Sequence, residues 1–461
     1  MVPLFHDGLL KVLEGITSLE EITRVAGDID YVKMLYSKLI AQSLTRGITI
    51  SKDEYDLVKQ NLTNLTSLQS IMQNAKTEDA FRLICALGLV YNATDIHLEP
   101  QENKSVVRYR IDGLLQEKLY FPLEMHSFLI QFVKNLAGLE AQETQQIQEG
   151  RFNIDSVNGS QDVRISLVPS GYGESLVMRL LKKDIRILGL TELGILPEFL
   201  PIIKQASQKP NGIILGCGPT SSGKTTTIYA ILSNLNKPEV KIMTIEDPIE
   251  YRLPGIVQTN VNPKEGYTFS TALRGFLRQN PNIILVGEIR DTETAKIAIQ
   301  ASLTGHLILS TLHTQDCLTA ITRLENFQIT PSEIASSLNI IIAQRLVRKL
   351  CPYCKEEIVL NKSQKEIIDK AFAVLPKNIY QKFEHYLIGK NRIYQAKGCE
   401  KCNYSGYSGI TGIFEILTIN EELRKLISQN VQIDVLKKAI EVRALSLLQD
   451  GLIKVLGGFT S

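Results

Sequence analysis

The sequence predicts a multidomain α/β protein built around a nucleotide-binding domain. Residues 218–225, GPTSSGKT, fit the pattern GxxxxGK[ST] between an apolar run at 212–216 and a helix-forming run at 226–232. Three further apolar runs end in polar residues and are separated by helical stretches, which is typical of buried parallel strands. A length of 461 residues predicts about three domains, and 44% hydrophobic residues are enough for their cores.

The glycine-rich loop matches what an anionic triphosphate requires. Such a ligand needs a ring of backbone N–H groups, a helix N-terminus directed at it and one mobile cation. Lys224 supplies the cation, and the Thr225 hydroxyl can reach Mg²⁺. A glycine-rich turn with a surface lysine is the alternative, which the flanking strand and helix disfavour. We expect the loop and first helical turn to bind ATP through Gly218, Pro219, Thr220, Ser221, Ser222, Gly223, Lys224, Thr225 and Thr226.

The overall composition excludes several classes of partner. Lys and Arg number 51 and Asp and Glu 49, so bulk charge predicts no direct nucleic-acid partner. The chain begins without a basic run and apolar core, and no apolar stretch approaches the ~18 residues of a membrane helix. We therefore expect a cytoplasmic protein. Four of the seven cysteines form two CxxC pairs, which favours a reduced compartment and one metal site. The others are expected to be core residues: Cys85, Cys217 and Cys317.

Two regions precede the nucleotide domain. Residues 1–90 show helical spacing of apolar residues, at 31–44 and 80–89, without a catalytic signature. Over residues 91–184 the apolar residues instead occur in short alternating runs with an Asp-Gly turn signal, which predicts a small sheet domain. Its strands are predicted at 106–111, 163–167 and 176–180. A helical connector over 185–208 then leads into the nucleotide domain.

One internal repeat links the two ends of the chain. Residues 6–18, HDGLLKVLEGITS, match residues 449–461, QDGLIKVLGGFTS, at nine of thirteen positions. Two similar amphipathic helix ends closed by glycine would explain the match. Alternatively, an element of the carboxyl end has been relocated to the amino end, so that the two copies pack in equivalent places.

Polar residues close the three further strands of the nucleotide domain. The runs at 241–245, 283–287 and 307–312 lead into Glu246 and Asp247, into Glu288 and into His313. Ligands of an open parallel sheet bind beyond the carboxyl ends of its strands. These side chains should therefore face the same nucleotide as Lys224.

Hydrolysis of a nucleoside triphosphate needs magnesium, a group that orients water, and positive charge for the developing oxyanions. Glu288 is predicted to orient the water, and a solvated strand-end glutamate is the alternative. Glu246 or Asp247 is predicted to hold magnesium directly or through water, or else to cap a helix. His306 and His313 are candidates to contact the γ-phosphate, although histidines at strand ends are more often structural.

Longer motifs make the chain resemble the secretion ATPases of bacterial type II secretion and type IV pilus assembly. The motifs are GPTSSGKTTT, TIEDPIEY, LRGFLRQNPNIILVGEIRDTETA, QASLTGHLILSTLHT and AQRLVRKLCPYC. The resemblance continues upstream through ATDIHLEP, VRYRIDGLL and DVRISLVPSGYGESLVMRLL, and covers about residues 91–461. It implies a PAS-like domain joined flexibly to a RecA-like ATPase domain, in cytoplasmic hexameric rings.

The resemblance also assigns roles to residues. It identifies residues 218–225 as Walker A, 246–251 as part of the aspartate box, 283–288 as Walker B and 306–313 as part of the histidine box. Arg164 and Arg179 match arginines that the upstream domain brings to the phosphates, which a guanidinium fork binds bidentately. Surface arginines on neighbouring strands are the alternative. The predicted catalytic residues are Lys224, Glu246, Glu288, His313, Arg164 and Arg179.

The chain departs from the family pattern at three positions and at its amino end. Ser221 replaces a usual glycine at a position that favours positive φ, which costs on the order of 1 kcal/mol. Asn280 and Asn282 replace usual aspartates before Walker B, so weaker metal or inter-subunit contacts are expected. The first ~90 residues do not resemble the usual recruitment domain.

The two CxxC pairs predict a zinc site. Cys351 and Cys354 precede a gap of 44 residues, and Cys399 and Cys402 follow it. Four thiolates suit tetrahedral Zn²⁺, and the long gap predicts a small subdomain between the pairs. CPYC alone resembles a glutaredoxin motif but lacks the flanking strand and helix. By the resemblance, a tetracysteine site accompanies assembly and secretion members rather than retraction motors.

Together these observations predict an α/β multidomain protein with a RecA-like P-loop ATPase core. Its expected regions are a helical N-terminal region at 1–90, a PAS-like α/β domain at 91–184, the ATPase domain at 185–350, a zinc subdomain at 351–403 and a C-terminal helical region at 404–461. The resemblance implies a homo-hexamer that powers assembly of pilin-like fibres. Its expected partners are the inner-membrane platform and recruitment proteins, with peripheral membrane association only. The alternatives are a DNA-translocating RecA-like motor and a nucleotide-binding scaffold with little turnover.

Overall fold

The computed structural model describes residues 11, 16–17, 47–182, 188–387 and 391–461. Within these residues the chain forms two seven-stranded sheets and one two-stranded sheet, with helices around them. No described helix combines the length and the apolar character needed to cross a lipid bilayer. The helical pattern predicted at 31–44 and most of the first repeat copy lie outside the described residues.

The first sheet belongs to the upstream half of the chain. Its strands are β1 (Gly47–Thr49), β2 (Asp95–Pro100), β3 (Ser105–Ile111), β4 (Leu114–Phe121), β5 (Gln148–Ser156), β6 (Gly159–Ser170) and β7 (Gly173–Lys182). Their order is β1-β5-β6-β7-β2-β3-β4, and every pair is antiparallel except β1 with β5. The predicted strands at 106–111, 163–167 and 176–180 are confirmed by β3, β6 and β7.

Four helices cover one face of this sheet. They are α1 (Lys52–Gln60), α2 (Leu65–Asn74), α3 (Thr77–Val90) and α4 (Leu123–Ala137). Phe81 and Ile84 of α3 share one buried cluster with Ile165 and Met178 of the sheet. Because alternate strand residues point to the same face, helices are needed to bury that apolar face. Residues 47–90 therefore pack as part of the same unit as the sheet, and β1 adds a short strand to a region predicted as helical.

The second sheet carries the phosphate loop near its middle. Its strands are β8 (Gly212–Cys217), β9 (Ile242–Glu246), β10 (Val257–Asn260), β11 (Ile283–Val286), β12 (Leu307–Leu312), β13 (Leu338–Leu350) and β16 (Tyr407–Thr418). Their order is β10-β9-β11-β12-β8-β13-β16, and all pairs are parallel except β13 with β16. The four predicted buried strands are confirmed as β8, β9, β11 and β12. Every residue of β8 and β12 is buried, which explains why both read as continuous apolar runs.

Helices flank the second sheet on both faces. They are α5 (Leu200–Ser207), α6 (Lys224–Leu235), α7 (Phe269–Leu277), α8 (Thr292–Leu303), α9 (Cys317–Asn326) and α10 (Pro331–Ser337). Separate buried clusters lie on the two sides, one around Ile245 and Ile308 and the other around Ile214 and Leu309. Alternate residues of the same strands thus fill opposite cores, as expected of a doubly covered parallel sheet.

The cysteine-flanked insertion and the carboxyl end complete the described fold. The insertion contains β14 (Glu356–Val359), α11 (Lys362–Ala373), α12 (Lys377–Leu387) and β15 (Arg392–Gln395), with β14 and β15 paired antiparallel. The carboxyl end contains α13 (Glu421–Ser428), α14 (Ile433–Glu441) and α15 (Leu447–Leu456). The region 404–461 was predicted as helical, but it begins with β16, which completes the central sheet. Its apolar run at 413–417 pairs along β13, and this long-range pairing decides the strand conformation.

Candidate functional site

The phosphate loop connects the end of β8 to the start of α6, and its backbone needs the glycines that the motif supplies. Gly223 has φ +85°, and a Cβ there would lie 2.6 Å from Nε2 of Gln344. A Cβ on Gly218 would lie 2.3 Å from Oγ of Ser222. Ser221 adopts φ +62°, the left-handed conformation expected where a glycine is usual. The loop therefore tolerates one serine in this conformation but has no room for side chains at Gly218 and Gly223.

Lys224 lies at the first position of α6 and is only 8% exposed. Its Nζ donates hydrogen bonds of 2.8 Å to the carbonyl oxygens of both Gly218 and Pro219. Burial lowers the pKa of Lys224, and the nearby Cys217 and Glu288 oppose that shift. Lys224 and Glu288 both lie beyond the carboxyl ends of parallel strands, β8 and β11, at the same edge of the sheet.

Two other groups of the loop fit a phosphate ligand. The Ser222 hydroxyl is buried and has no hydrogen-bond partner among the residues that the structure describes. A buried hydroxyl without a partner is uncommon, so it favours an acceptor that the protein itself does not provide. Thr225 is exposed in the first turn of α6, where a hydroxyl can reach a metal ion beside the phosphates.

Glu288 lies two residues beyond β11, with its side chain 12% exposed. Its Oε2 is 3.1 Å from Nε2 of His313, which follows the neighbouring parallel strand β12. Its Oε1 forms an ion pair with Arg290, whose Nη1 is 3.3 Å from Oδ2 of Asp247. The carboxyl ends of β9, β11 and β12 thus place these four side chains in one connected group.

Glu246 ends β9 at the same edge but is 3% exposed. Its Oε1 accepts hydrogen bonds from Oγ1 of Thr244 at 2.6 Å and from Nε2 of Gln258 at 3.2 Å. Its Oε2 accepts a hydrogen bond from the Tyr229 hydroxyl. Burial raises the pKa of Glu246 against these donors. The carboxylate therefore ties β9 to β10 and α6, in addition to its position near the loop.

His306 lies at the opposite edge of the sheet, which corrects the expectation that it faces the nucleotide. It precedes β12, and its carbonyl oxygen accepts from the N–H of Gly212, where β8 begins. Its Nδ1 is 3.1 Å from the carbonyl oxygen of Ala301. The whole of β12 separates it from His313, roughly 20 Å of extended chain. The position of His306 favours a structural role. Of the two histidines, only His313 contacts Glu288.

The two asparagines that replace aspartates also lie at that opposite edge. Asn282 immediately precedes β11, and its Oδ1 accepts a 2.8 Å hydrogen bond from the N–H of Lys241 before β9. Asn280 adopts φ +50°, which asparagine tolerates better than most residues. Because β11 separates both residues from Glu288, their positions do not support a direct effect of these changes on metal binding at the site within this chain.

Arg164 and Arg179 are directly opposite each other on β6 and β7. Arg164 Nη2 is 3.4 Å from the carbonyl oxygen of Ile249, in the loop that follows β9 of the second sheet. Arg179 Nε is 3.0 Å from Oδ1 of Asp95, and its side chain remains 56% exposed. The upstream sheet therefore presents these two arginines on a face that reaches the nucleotide domain.

The same face carries residues that sequence reasoning missed. Arg151 is paired with Arg164 across β5 and β6, and Asp95 is paired with both Arg179 and Arg110 across β7, β2 and β3. Asp95 is buried, and its Oδ2 is 3.2 Å from Nε of Arg110. Four arginines and one aspartate thus form a transverse row across five strands. No local motif indicates such a row, because it depends on the strand order and register.

Gln344 of β13 is a second residue that the sequence did not indicate. Its Oε1 accepts a 2.7 Å hydrogen bond from Oγ1 of Thr227 in α6, and the side chain is 2% exposed. Its amide also lies against Gly223. Gln344 therefore supports the phosphate loop from beneath, although 117 residues separate it from Thr227 in the chain.

The four cysteines predicted as metal ligands come together, and their ligand atoms all lie within 4.8 Å of one another. The sulfur–sulfur distances are 3.9 Å for Cys351 and Cys399, 3.7 Å for Cys354 and Cys402, and 3.8 Å for Cys399 and Cys402. Tetrahedral coordination with Zn–S bonds of about 2.3 Å places sulfurs about 3.8 Å apart, so this cluster has the dimensions of a zinc site. The remaining cysteines are buried, as predicted: Cys85, Cys217 and Cys317.

Backbone donors prepare one of these sulfurs for a cation. Burial raises the pKa of the Cys402 thiol, but N–H groups of Cys399 and Gly406, 3.2 and 3.3 Å from Sγ, together with the thiols of Cys354 and Cys399, outweigh it and lower the pKa to about 7. A thiolate is the form that binds a metal. The arrangement suits a structural tetrathiolate site rather than a disulfide.

Comparison with known proteins agrees with this geometry. The family profile described as "Type II/IV secretion system protein" matches residues 73–461. The chain is 41% identical to type II secretion system protein E of Dickeya dadantii over 424 residues, 91% of this chain and 81% of that protein. It is 40% identical to type II secretion system ATPase E of Vibrio cholerae, covering 91% of this chain and 81% of that one. It is 38% identical to type IV pilus assembly ATPase PilB of Myxococcus xanthus, covering 89% and 70%.

Solved structures support the fold. The ATPase DotB of Yersinia pseudotuberculosis superposes with a TM-score of 0.61 at 19% identity, covering 84% of this chain and 92% of that one. The pilus retraction motor PilT with bound ADP superposes with a TM-score of 0.50 at 23% identity, covering 82% and 93%. The profile match and the extent of the sequence identity show that the chain belongs to the type II secretion and type IV pilus assembly ATPase family.

Proposed function

We propose that this chain is the cytoplasmic motor of a type II secretion or type IV pilus machine, and that its ATP hydrolysis drives assembly of pilin-like fibres. The observation that carries the proposal is that Lys224 and Glu288 both follow carboxyl ends of parallel strands, β8 and β11, at one edge of the sheet, with Nε2 of His313 3.1 Å from the Glu288 carboxylate. A loop lysine binds phosphate, and a carboxylate beside it can orient the attacking water. The names of the relatives from Dickeya, Vibrio and Myxococcus support the pathway.

Each residue of the site has a distinct role in this proposal. The loop N–H groups and Lys224 bind the β- and γ-phosphates, and the Thr225 hydroxyl holds Mg²⁺, which when bound draws charge from the phosphates. Glu288 orients the water, and His313 holds that carboxylate in place. Glu246 acts on magnesium through water, because its two oxygens already accept three hydrogen bonds from the protein.

Arg164 and Arg179 supply the charge that couples the upstream sheet to the nucleotide. A guanidinium group that binds phosphate in one domain position and releases it in another links rotation to the state of the nucleotide. The 3.4 Å contact between Arg164 and the carbonyl oxygen of Ile249 supports this role, because it already spans the two sheets. The four cysteines hold structural Zn²⁺, which when bound fixes the ends of the 351–403 insertion.

The assembly we propose is a homo-hexameric ring at the cytoplasmic face of the inner membrane. Its partners are the membrane platform and recruitment proteins of the machine. Family membership supports this arrangement, as do the ATPase names of the relatives. Domain rotation within the ring would deliver mechanical work to the platform.

Phosphate release by the purified full-length protein tests the site, with and without DNA. We expect Lys224→Ala and Glu288→Gln each to abolish turnover while the far-ultraviolet circular dichroism spectrum is unchanged. Glu366→Gln, in exposed α11, is the matched control and should retain full turnover. If both site variants hydrolyse ATP as fast as the unmodified protein, the assignment of Lys224 and Glu288 to the site is wrong. Turnover that requires DNA would favour the DNA-translocating motor, and nucleotide binding without turnover would favour the scaffold.

A further inference from the structure

The last fifteen residues of the chain fill a defined socket. Helix α15 packs against β16 and β15, and Ile453 and Leu456 are buried at 1% and 4% exposure. Asp450 is fully buried, and its Oδ2 accepts a 2.8 Å hydrogen bond from the N–H of Phe414 in β16. Asp450 also forms an ion pair with Lys454, which is 3% exposed. We call residues 447–461 the tail and the surface that receives them the tail socket.

Polar contacts continue beyond the helix, and they depend on particular tail residues. The Gly458 carbonyl oxygen accepts a 2.8 Å hydrogen bond from Nζ of Lys355. The Thr460 hydroxyl donates to the carbonyl oxygen of Arg348 at 2.8 Å, and the Ser461 hydroxyl lies 2.8 Å from that of Tyr407. The socket therefore contacts the polar residues of the tail as well as its apolar ones. Its contacting residues are Arg348, Lys355, Tyr407 and Phe414.

The amino-terminal repeat copy preserves the residues that make these contacts. The positions identical between the copies include Asp7 with Asp450, Lys11 with Lys454, Gly15 with Gly458, Thr17 with Thr460 and Ser18 with Ser461. Helical periodicity explains repeated leucines and valines on an apolar face. It does not explain a repeated aspartate and lysine, because such residues are almost never fully buried unless they are paired.

The helix ends of the two copies also share a backbone contact. The N–H of Ile16 donates to the carbonyl oxygen of Lys11 at 2.9 Å, and the N–H of Phe459 donates to that of Lys454 at 2.9 Å. These are the same bond in the two aligned copies, and in the tail it lies where α15 ends at Gly457 and Gly458. Lys11 is exposed, whereas Lys454 is buried. Apart from Lys11, Ile16 and Thr17, the residues of the first copy lie outside the described residues.

We propose that residues 6–18 are a second occupant of the tail socket and exchange with the tail. The exchange costs little, because the residues of the tail contacts described above have identical residues to replace them, whereas Gln449, whose amide donates to the carbonyl oxygen of Ala371, aligns with His6. Asp7 takes the hydrogen bond from the N–H of Phe414 and pairs with Lys11, and Thr17 donates to the carbonyl oxygen of Arg348. The inference does not depend on the proposed function, because the socket lies outside the nucleotide site.

A double-mutant cycle on the full-length protein tests the exchange. Asp7→Ala alone should leave the melting temperature unchanged, because the tail fills the socket. In the Asp450→Ala background the same change should lower the melting temperature by more than about 2 °C, because the second occupant is then impaired. Glu14→Ala, at a position that differs between the copies, should be silent in both backgrounds. Additive effects of Asp7→Ala and Asp450→Ala would overturn the proposal.

Two further measurements keep the test decisive. If Asp450→Ala does not fold, the cycle is repeated with a milder pair. Thr460→Ala then replaces Asp450→Ala, and Thr17→Ala replaces Asp7→Ala. A photo-reactive benzoylphenylalanine at position 10, which aligns with buried Ile453, should cross-link to peptides of β15 or β16 when Asp450→Ala weakens the tail. Mixing isotopically heavy and light copies shows whether the segment fills its own socket or that of a second copy. Cross-links confined to other surfaces would overturn the proposal.

Discussion

Nε2 of His313 lies 3.1 Å from Oε2 of Glu288, at the adjacent ends of two parallel strands. Arg290 holds the other carboxylate oxygen, so Glu288 is oriented from both sides. A carboxylate that orients water must keep a defined direction relative to the phosphates. In the proposed mechanism, His313 therefore acts on the reaction through Glu288.

The first prediction concerns this contact. His313→Ala should lower the maximal rate of ATP hydrolysis by roughly tenfold or more, because Glu288 loses one of its two orienting partners. The Michaelis constant for ATP should change little, since Lys224 and the loop still bind the phosphates. Steady-state kinetics measure both quantities. His306→Ala, at the far edge of the sheet, is the matched control, and an equal loss of rate in that variant would contradict the assignment.

The second prediction separates the two arginines that face the nucleotide domain. Arg164→Ala should lower turnover without changing the melting temperature, because its described partner is a single carbonyl oxygen at 3.4 Å. Arg179→Ala should lower both, because it also removes one of the two guanidinium groups that pair with buried Asp95. Thermal unfolding and phosphate release measure the two effects. Arg151→Ala is the control in the same row, and identical behaviour of all three variants would argue against distinct roles.

The third prediction concerns the support of the phosphate loop by Gln344. Gly223→Ala should abolish nucleotide binding, because φ is +85° and the new Cβ would lie 2.6 Å from the Gln344 amide. Gly275→Ala in α7 is the control, because nothing lies within 4 Å of its Cβ position and its φ is ordinary. Titration with a fluorescent ATP analogue measures binding. Unchanged affinity in Gly223→Ala would show that the loop relaxes around the clash.

The fourth prediction concerns the tetracysteine cluster. The purified protein should contain one zinc ion per chain, and Cys402→Ser should lose it, because Cys402 supplies one of the four sulfurs. Metal analysis by inductively coupled plasma mass spectrometry measures the stoichiometry. A strong chelator should lower the melting temperature of the unmodified protein but not of Cys402→Ser. Cys85→Ser, at a buried cysteine outside the cluster, should keep its zinc.

The fifth prediction uses the pH dependence that burial of Glu246 creates. Burial raises the folded-state pKa of Glu246, so its contribution to stability is present below the unfolded pKa and is lost as pH rises through the folded one. The unfolding free energy of the unmodified protein relative to Glu246→Gln should therefore fall as the pH rises above about 4, the ordinary range of a glutamate carboxyl group. Urea unfolding at several pH values measures this difference. Asp247→Asn is the exposed control, and the same trend in that variant would contradict the assignment.

Local patterns in the sequence determined the phosphate loop, the four buried strands around it and the two cysteine pairs. Each depends on residues close together in the chain: glycines that permit a tight turn, apolar runs that need burial, and thiols at ligand spacing. The position of Glu288 at the same sheet edge as Lys224 followed from the rule that parallel strands present their carboxyl ends at one edge. Ser221 in the left-handed conformation was predictable in the same way.

Only the tertiary structure decided which residues meet across these elements. His306 and His313 lie in one short segment, yet β12 carries them to opposite edges, and β11 likewise separates Asn282 from Glu288. Gln344 and the arginine row depend on strand order and register, which arise from hydrogen bonding between segments distant in the chain. A sequence specifies the conformation of a segment through its neighbours, whereas contacts between segments are set by how all of them pack together.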